Sequence, residues 1–216
     1  NVVDPNTMID EFGVDAFRYF LLREVPFGHD GDFSREAMIV RINSELANGI
    51  GNLLSRTLTM IERFAGGNVP QDTLPATEDV SHELQHQARG LPSALDIHIG
   101  NLEFNKALEA IASLVQTANQ FIDKMAPWSL AKKPDSGPLL AHVLYNLAET
   151  LRIVSDAIVP FMPNTAAEMK RQLGLSPEPP LSARNGIGQS WGTLQSGTPI
   201  AKGAGLFPRI DTNPTQ

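Results

Sequence analysis

Cysteine is absent from the 216 residues. That excludes a disulfide framework and any thiolate zinc site within the chain, and it fits a reducing compartment such as the cytoplasm. Aromatic residues are scarce, at 6%, so aliphatic side chains must fill most of the core that a 42% hydrophobic content allows. Positive charge is also short: 17 Lys and Arg stand against 24 Asp and Glu, a formal net charge of -7. Coating nucleic acid non-specifically needs a basic surface that neutralises phosphates, so that class of DNA or RNA binder is excluded. A local site that reads a few unstacked bases by stacking and hydrogen bonds is compatible with this acidity. No apolar run approaches the ~20 residues of a membrane span. The opening Asn-Val-Val-Asp-Pro carries neither the basic and apolar regions of a signal peptide nor an initiator methionine, and the chain is read as starting in mid-protein. Period-two alternation and solenoid-length repeats are missing as well, which leaves helices.

The length suits one large domain or one domain with appendages. Asp4-Pro5-Asn6 predicts a helix start, with Asp4 as cap and Pro5 in the first turn, and Gly13 ends that short helix. Asp15 to Arg23 predicts a second. Pro26 to Ser34 reads as a loop whose last residue caps a long helix to about Ala65. Its apolar stripe is Ile42, Leu46, Ile50, Leu53, Leu54, Leu58, Ile61 and Phe64, and Gly66-Gly67 stop it. Leu84, Ala88, Leu91, Leu95 and Ile99 mark the next helix, which Pro92 is expected to kink or restart. Phe104 to Met125 is the cleanest amphipathic pattern. Leu140 to Phe161 is another bundle helix, and a shorter one comes next over about Asn164 to Leu173. From Pro177 onward the chain is rich in Gly, Pro and Ser and reads as irregular. The expected fold is an all-α antiparallel helical bundle with a long C-terminal tail.

Four constellations stand out. His82-Glu83-Leu84-Gln85-His86 matches H-E-x-x-H, the zinc-peptidase pattern in which two histidines share a helix face and the glutamate serves as base. Leu84 lies on the apolar stripe, however, so both histidines flank the core and point to water, and the bland reading is a solvated helical turn. Asn48-Gly49-Ile50-Gly51-Asn52, continuing to Arg56, places two glycines inside a helix at about 1 kcal/mol each relative to alanine. Close approach of another backbone or of a ligand would offset that. Asn52 and Arg56 are four apart on one face, and an amide with a guanidinium can read a base edge. Pro127-Trp128 stands just past the end of a long helix. A stiffened tryptophan there is a stacking platform worth about 1–3 kcal/mol per base, or alternatively a core ring that closes the bundle. Glu11 to Leu22 is an amphipathic segment with a glycine break and, on its own, a structural one.

Together these residues resemble a known family. Asn1-Val2-Val3-Asp4-Pro5 resembles the segment just after the K-M-S-K-S signature loop of class I aminoacyl-tRNA synthetases, and Phe12-Gly13-Val14-Asp15-Ala16-Phe17-Arg18-Tyr19-Phe20-Leu21-Leu22 is similar to a stretch that several class I members share. Pro26 to Ser34, the N-x-x-x-N-x-x-x-R of Asn48, Asn52 and Arg56, Ala126-Pro127-Trp128 and the tail Leu206-Phe207-Pro208-Arg209-Ile210 resemble the methionyl-tRNA synthetases of bacteria. The family's anticodon domain is a helical bundle that reads C-A-U. The resemblance implies that Asn52 and Arg56 contact the unstacked first anticodon base, that Trp128 stacks on it with Pro127 shaping the platform, and that Asn48 assists from one turn earlier.

The resemblance further implies three parts: residues 1–34 as a stem-contact segment, 35–176 as the anticodon-binding bundle, and 177–216 as a tail packing back on it. The partners it implies are methionine tRNA, through its anticodon loop, and the catalytic domain of the same chain, with no membrane and no DNA. No catalytic residue, cofactor or metal is expected here. The full-length enzyme would use ATP and magnesium, with zinc in its zinc-bearing insertion, to join methionine to tRNA in the cytoplasm, and this portion would be inactive alone. The alternatives are the anticodon bundle of another class I synthetase, a zinc peptidase on His82, Glu83 and His86, and a bundle without a site.

Overall fold

The computed structural model describes residues 4–24, 34–75, 77, 79–176 and 190–211. Residues 1–3, 25–33 and 177–189, on which parts of the sequence expectations fall, lie outside the described residues. Helix α1 spans Pro5–Phe12 and starts as expected: the Asp4 carboxylate accepts from the Asn6 N–H at 2.9 Å, and Pro5 occupies the first turn. Gly13, at φ +83°, ends it in the left-handed region that glycine enters freely. Helix α2 spans Val14–Glu24.

Ser34 caps the long rod, its hydroxyl accepting from the Ala37 N–H at 3.1 Å. The rod comprises α3 (Arg35–Arg41), a π-wound segment (Ile42–Gly51) and α4 (Asn52–Phe64). Its extent matches the sequence expectation, but the π winding does not. The spacing explains it: Met38, Ile42, Leu46 and Ile50 recur every four residues and all are buried. Four residues overshoot a 3.6-residue turn, and the wider winding keeps all four on the core face. Gly51 permits this, since a Cβ there would stand 3.1 Å from the Leu46 carbonyl and 3.9 Å from the Phe207 nitrogen.

Helix α5 (His82–Gly100) runs unbroken through Pro92, correcting the expected restart, because Leu91 and Leu95 on either side are both buried and hold the register. Helices α6 (Phe104–Met125), α7 (Pro127–Leu130), α8 (Gly137–Ala157) and α9 (Pro163–Gln172) complete the order. Short links between α5, α6 and α8 make consecutive long helices antiparallel. Leu53, Leu58, Ile61, Leu108, Leu114, Leu147 and Leu151 meet in the centre at 0% exposure. Each contributes about 1.5–3 kcal/mol of burial. Among the described residues no strand forms, only an isolated antiparallel bridge between Asn68 and Pro199, and no helix is long and apolar enough to cross a membrane.

The Phe12–Leu22 stretch turns out to be a clamp. The buried Asp15 accepts from the Thr165 N–H at 2.6 Å and hydroxyl at 2.8 Å, capping α9. Arg18 donates to the Phe161 and Pro160 carbonyls at 2.9 and 2.8 Å where α8 has ended. Tyr19 donates to Glu45 in the π segment; burial first, and the Glu45 charge second, push its phenol pKa upward. Many hydrogen bonds tie the tail down, two sets of them made by polar side chains of the bundle at its two ends. Glu149, fully buried, accepts from the Gly192, Thr193 and Leu194 N–H groups. Asn43 exchanges two hydrogen bonds with Ile210, at 2.8 and 2.9 Å. Leu206 and Phe207, between these anchors, and Ile210 itself pack against the core.

Candidate functional site

The C-terminal end of α6 carries a sharp corner. Ala126 adopts φ +43°, a left-handed conformation that a non-glycine residue holds at about 1–2 kcal/mol. Two sets of bonds retain it: its N–H donates to the Ile122 carbonyl at 2.9 Å, and its own carbonyl accepts from Ser129 at 2.7 Å. Pro127 sits at the first position of α7, buried, with a fixed φ that suits a helix start. The consequence is that Trp128 projects: 42% of it is exposed. A core ring closing the bundle is therefore the wrong reading, and the ring presents a face to solvent. Strain held at a corner with an exposed ring is the kind of feature that persists where a surface must be preshaped.

Arg56 of α4 lies over that ring, its guanidinium carbon 5.8 Å from the ring centroid. Its other partner is Asp123 of α6, at 2.6 Å. One turn earlier on α4, Asn52 donates its amide to Asn119 Oδ1 at 3.0 Å. Both pairs span 67 residues, so α4 and α6 run parallel here, and the two polar rows face each other rung by rung. Asn119 in turn donates to the Val115 carbonyl at 3.1 Å and the Gly49 carbonyl at 3.3 Å.

The structure thus brings Arg56, Trp128 and Pro127 to one corner and ties Asn52 to it through α6. Asn48 stands apart from the ring. It lines a polar cleft of about 570 Å³ between the π segment and α6, with Gly49, Gln116 and Asn119 among the walls. The glycines serve protein contacts: Gly49 lies against Val115 and Gly51 against the tail backbone at Phe207. Asn119 and Asp123 escaped sequence reasoning. Their only signal was polarity four residues apart at the edge of the α6 stripe, which any solvated helix face shows. Lys124, Lys132 and Lys133, all exposed around the corner, give a net-acidic chain local positive charge of the sort that positions phosphates.

The H-E-x-x-H segment carries no such geometry. His82, Glu83 and His86 are exposed at the start of α5, and the two imidazoles lie parallel, 6.4 Å apart. Glu103, the next glutamate along the chain, is engaged by Lys106 at 2.5 Å and His98 at 2.8 Å. The Lys106 hydrogen bond, and after it that of His98, lowers its carboxyl pKa to about 2. Among the described residues no group of three His, Cys, Asp or Glu side chains gathers to hold a metal.

A projecting tryptophan, a guanidinium over it and an amide one turn away offer the stacking face and polar groups that an unstacked base can meet. The anticodon binding domain of methionyl tRNA ligase, as a family model, matches residues 69–216, and the model of tRNA synthetases class I (M) matches residues 1–58. The chain belongs to the methionyl-tRNA ligase anticodon-binding family. It is 48% identical over 211 residues to a methionine–tRNA ligase of Caldanaerobacter subterraneus, covering 98% of this chain and 32% of that protein. With the methionine–tRNA ligase of Bacillus subtilis it shares 42% identity, over 98% of this chain and 31% of that protein. The apo methionyl-tRNA synthetase of Mycobacterium tuberculosis superposes with a TM-score of 0.88 at 36% identity, covering 98% of this chain and 42% of that one. The same enzyme in complex with methionyl-adenylate gives a TM-score of 0.87 at 37% identity, over 97% of this chain and 40% of that one. The chain spans about a third of the length of the curated relatives it matches. Family membership and the all-α bundle both agree with the sequence reading, and they leave the zinc-peptidase alternative without support.

Proposed function

We propose that this chain reads the C-A-U anticodon of methionine tRNA for a methionine–tRNA ligase. The observation that carries this is the 42% exposed Trp128 ring at the strained Ala126 corner, with the Arg56 guanidinium 5.8 Å from its centroid. In this reading the first anticodon base leaves its stack and lies on Trp128, while Asn52 and Arg56 meet its edge. Pro127 fixes the platform, and Asn48 contributes from the neighbouring cleft. The Asp123 partner holds Arg56 near the ring before RNA arrives, since an exposed pair of this kind is worth only about 0.2–1 kcal/mol and yields readily to a base.

We assign residues 1–34 to stem contact, 35–176 to the anticodon-binding bundle and 177–216 to a tail packed back on it. The Asp15–Arg18–Tyr19 clamp then couples the stem-contact part rigidly to the bundle. In the whole ligase, ATP and magnesium would support activation of methionine, with zinc in a separate insertion, and the enzyme would work in the cytoplasm. The residues of this chain would bind and orient tRNA only.

The test is binding of the 216-residue chain to anticodon stem-loops at fixed low salt. C-A-U is compared with a loop changed at its first base, for wild type and Trp128→Ala. Stacking worth about 1–3 kcal/mol corresponds to roughly 5- to 150-fold in Kd. A C-A-U preference that Trp128→Ala removes supports the reading. Equal binding of both loops by wild type refutes it.

A further inference from the structure

We propose that Asn119 is a specificity-determining positioning residue: it fixes which end of the Asn52 amide faces the bound base, and thereby selects an amino-bearing pyrimidine edge over a carbonyl-bearing one. This rests on the reading above, in which Asn52 meets the first anticodon base.

An asparagine amide has a donor end and an acceptor end of nearly equal shape, so only its partners decide which way it points. For Asn119 the partners leave no choice. One end of its amide meets two backbone carbonyls, Val115 at 3.1 Å and Gly49 at 3.3 Å. A carbonyl oxygen accepts only, so that end must be the NH2. The other end is then Oδ1, and it faces Asn52 at 3.0 Å. Asn52 must answer with its own NH2. Its Oδ1 is left over, with no hydrogen-bond donor among the described residues. Two backbone carbonyls on two different helices therefore set the polarity of a side chain one step away from either.

The π segment is what makes the first link possible. Gly49 sits where π winding gives way to α winding: the Asn52 N–H reaches both the Ala47 and the Gly49 carbonyls. Its missing side chain keeps the segment in contact distance of α6, a Cβ at that position lying 3.8 Å from Val115 Cγ1. The Gly49 carbonyl is thus presented across the interface to Asn119.

An outward Asn52 Oδ1 accepts, and Arg56 beside it only donates. The pair complements an edge that offers one amino group next to acceptors, which is cytosine. Uracil places a carbonyl oxygen where cytosine has its amino group, and two acceptors then oppose each other. Without Asn119 the Asn52 amide is free to turn over and donate to that carbonyl.

The experiment measures Kd of the 216-residue chain for anticodon stem-loops with C or U at the first position, in wild type, Asn52→Ala and Asn119→Ala. Far-ultraviolet circular dichroism and thermal melts check that each variant is folded. A correctly placed base-edge contact discriminates roughly tenfold or more. Asn119→Ala is expected to lose about tenfold of the C-over-U ratio, in part because U-loop binding tightens. A wild-type ratio retained in Asn119→Ala while Asn52→Ala loses it overturns the relay and leaves the anticodon reading standing. No preference in wild type overturns both the relay and the reading beneath it.

Discussion

Replacing Glu149 by alanine should be among the most damaging single changes in the chain. Its carboxylate is at 0% exposure and receives Arg152 through two nitrogens, at 2.8 and 2.7 Å. It also accepts the N–H groups of Gly192 at 2.6 Å, Thr193 at 3.2 Å and Leu194 at 3.2 Å. Removing it strands Arg152, itself 4% exposed, with Asp156 at 3.2 Å and the Ser190 carbonyl at 3.1 Å as weaker company. Breaking a buried pair from one side costs about 3–5 kcal/mol. Of the three backbone donors, only that of Leu194 is buried deeply enough to add a desolvation penalty, about 1–3 kcal/mol. These terms overlap, so roughly 4–6 kcal/mol is expected, a large part of the 5–15 kcal/mol that holds a domain together. Urea unfolding gives the midpoint and slope. In a Trp128→Phe background Trp191 is the sole tryptophan, partly buried against the core, and its emission reports whether the tail has left. A loss under about 1 kcal/mol with Trp191 emission unchanged would refute the view that Glu149 gathers the tail.

Single contacts set the other expectations. Thr57 Oγ1 is buried without a hydrogen-bond partner, so Thr57→Val should be neutral or stabilising by about 1 kcal/mol in thermal melts, because it removes an unmet desolvation cost. Asp15→Ala removes the cap of α9 and both Thr165 bonds and should cost about 1–2 kcal/mol, while Asp15→Asn, which keeps an acceptor, should cost less. Burial alone would raise the Asp79 carboxyl, but hydrogen bonds from the Ser81 hydroxyl and N–H, with the neighbouring His142, outweigh it and hold the pKa below 3.8. A depressed folded pKa gives stability that is present above about pH 4 and fades as pH falls through the lowered value. Urea midpoints at pH 6 and pH 3 should therefore converge more in Asp79→Asn than in wild type, and equal pH slopes in the two proteins would count against this.

The sequence by itself determined the helices and their order. Stripes such as Leu84, Ala88, Leu91 and Leu95 can bury only one face, and Asp4, Ser34 and the Gly66-Gly67 stop carry their capping chemistry in the side chain or its absence. The residues proposed to read the anticodon, Asn52, Arg56, Pro127 and Trp128, stood out by residue type and spacing, but only resemblance set them apart from a solvated helix face or a core ring, since a lone arginine or tryptophan has no periodicity that separates a site from a core. Tertiary structure alone decided the rest. The four-residue spacing from Met38 to Ile50 permits π winding, but packing against α6 and the tail selects it. The direction of Trp128 depends on the left-handed turn at Ala126, which local propensity disfavours and two hydrogen bonds across the corner retain. Asn119 and Asp123 join the candidate site because α4 and α6 run parallel at a 67-residue offset. Such pairings are long-range: their energy appears only when two distant segments already lie side by side, so nothing in the local sequence of either one encodes them.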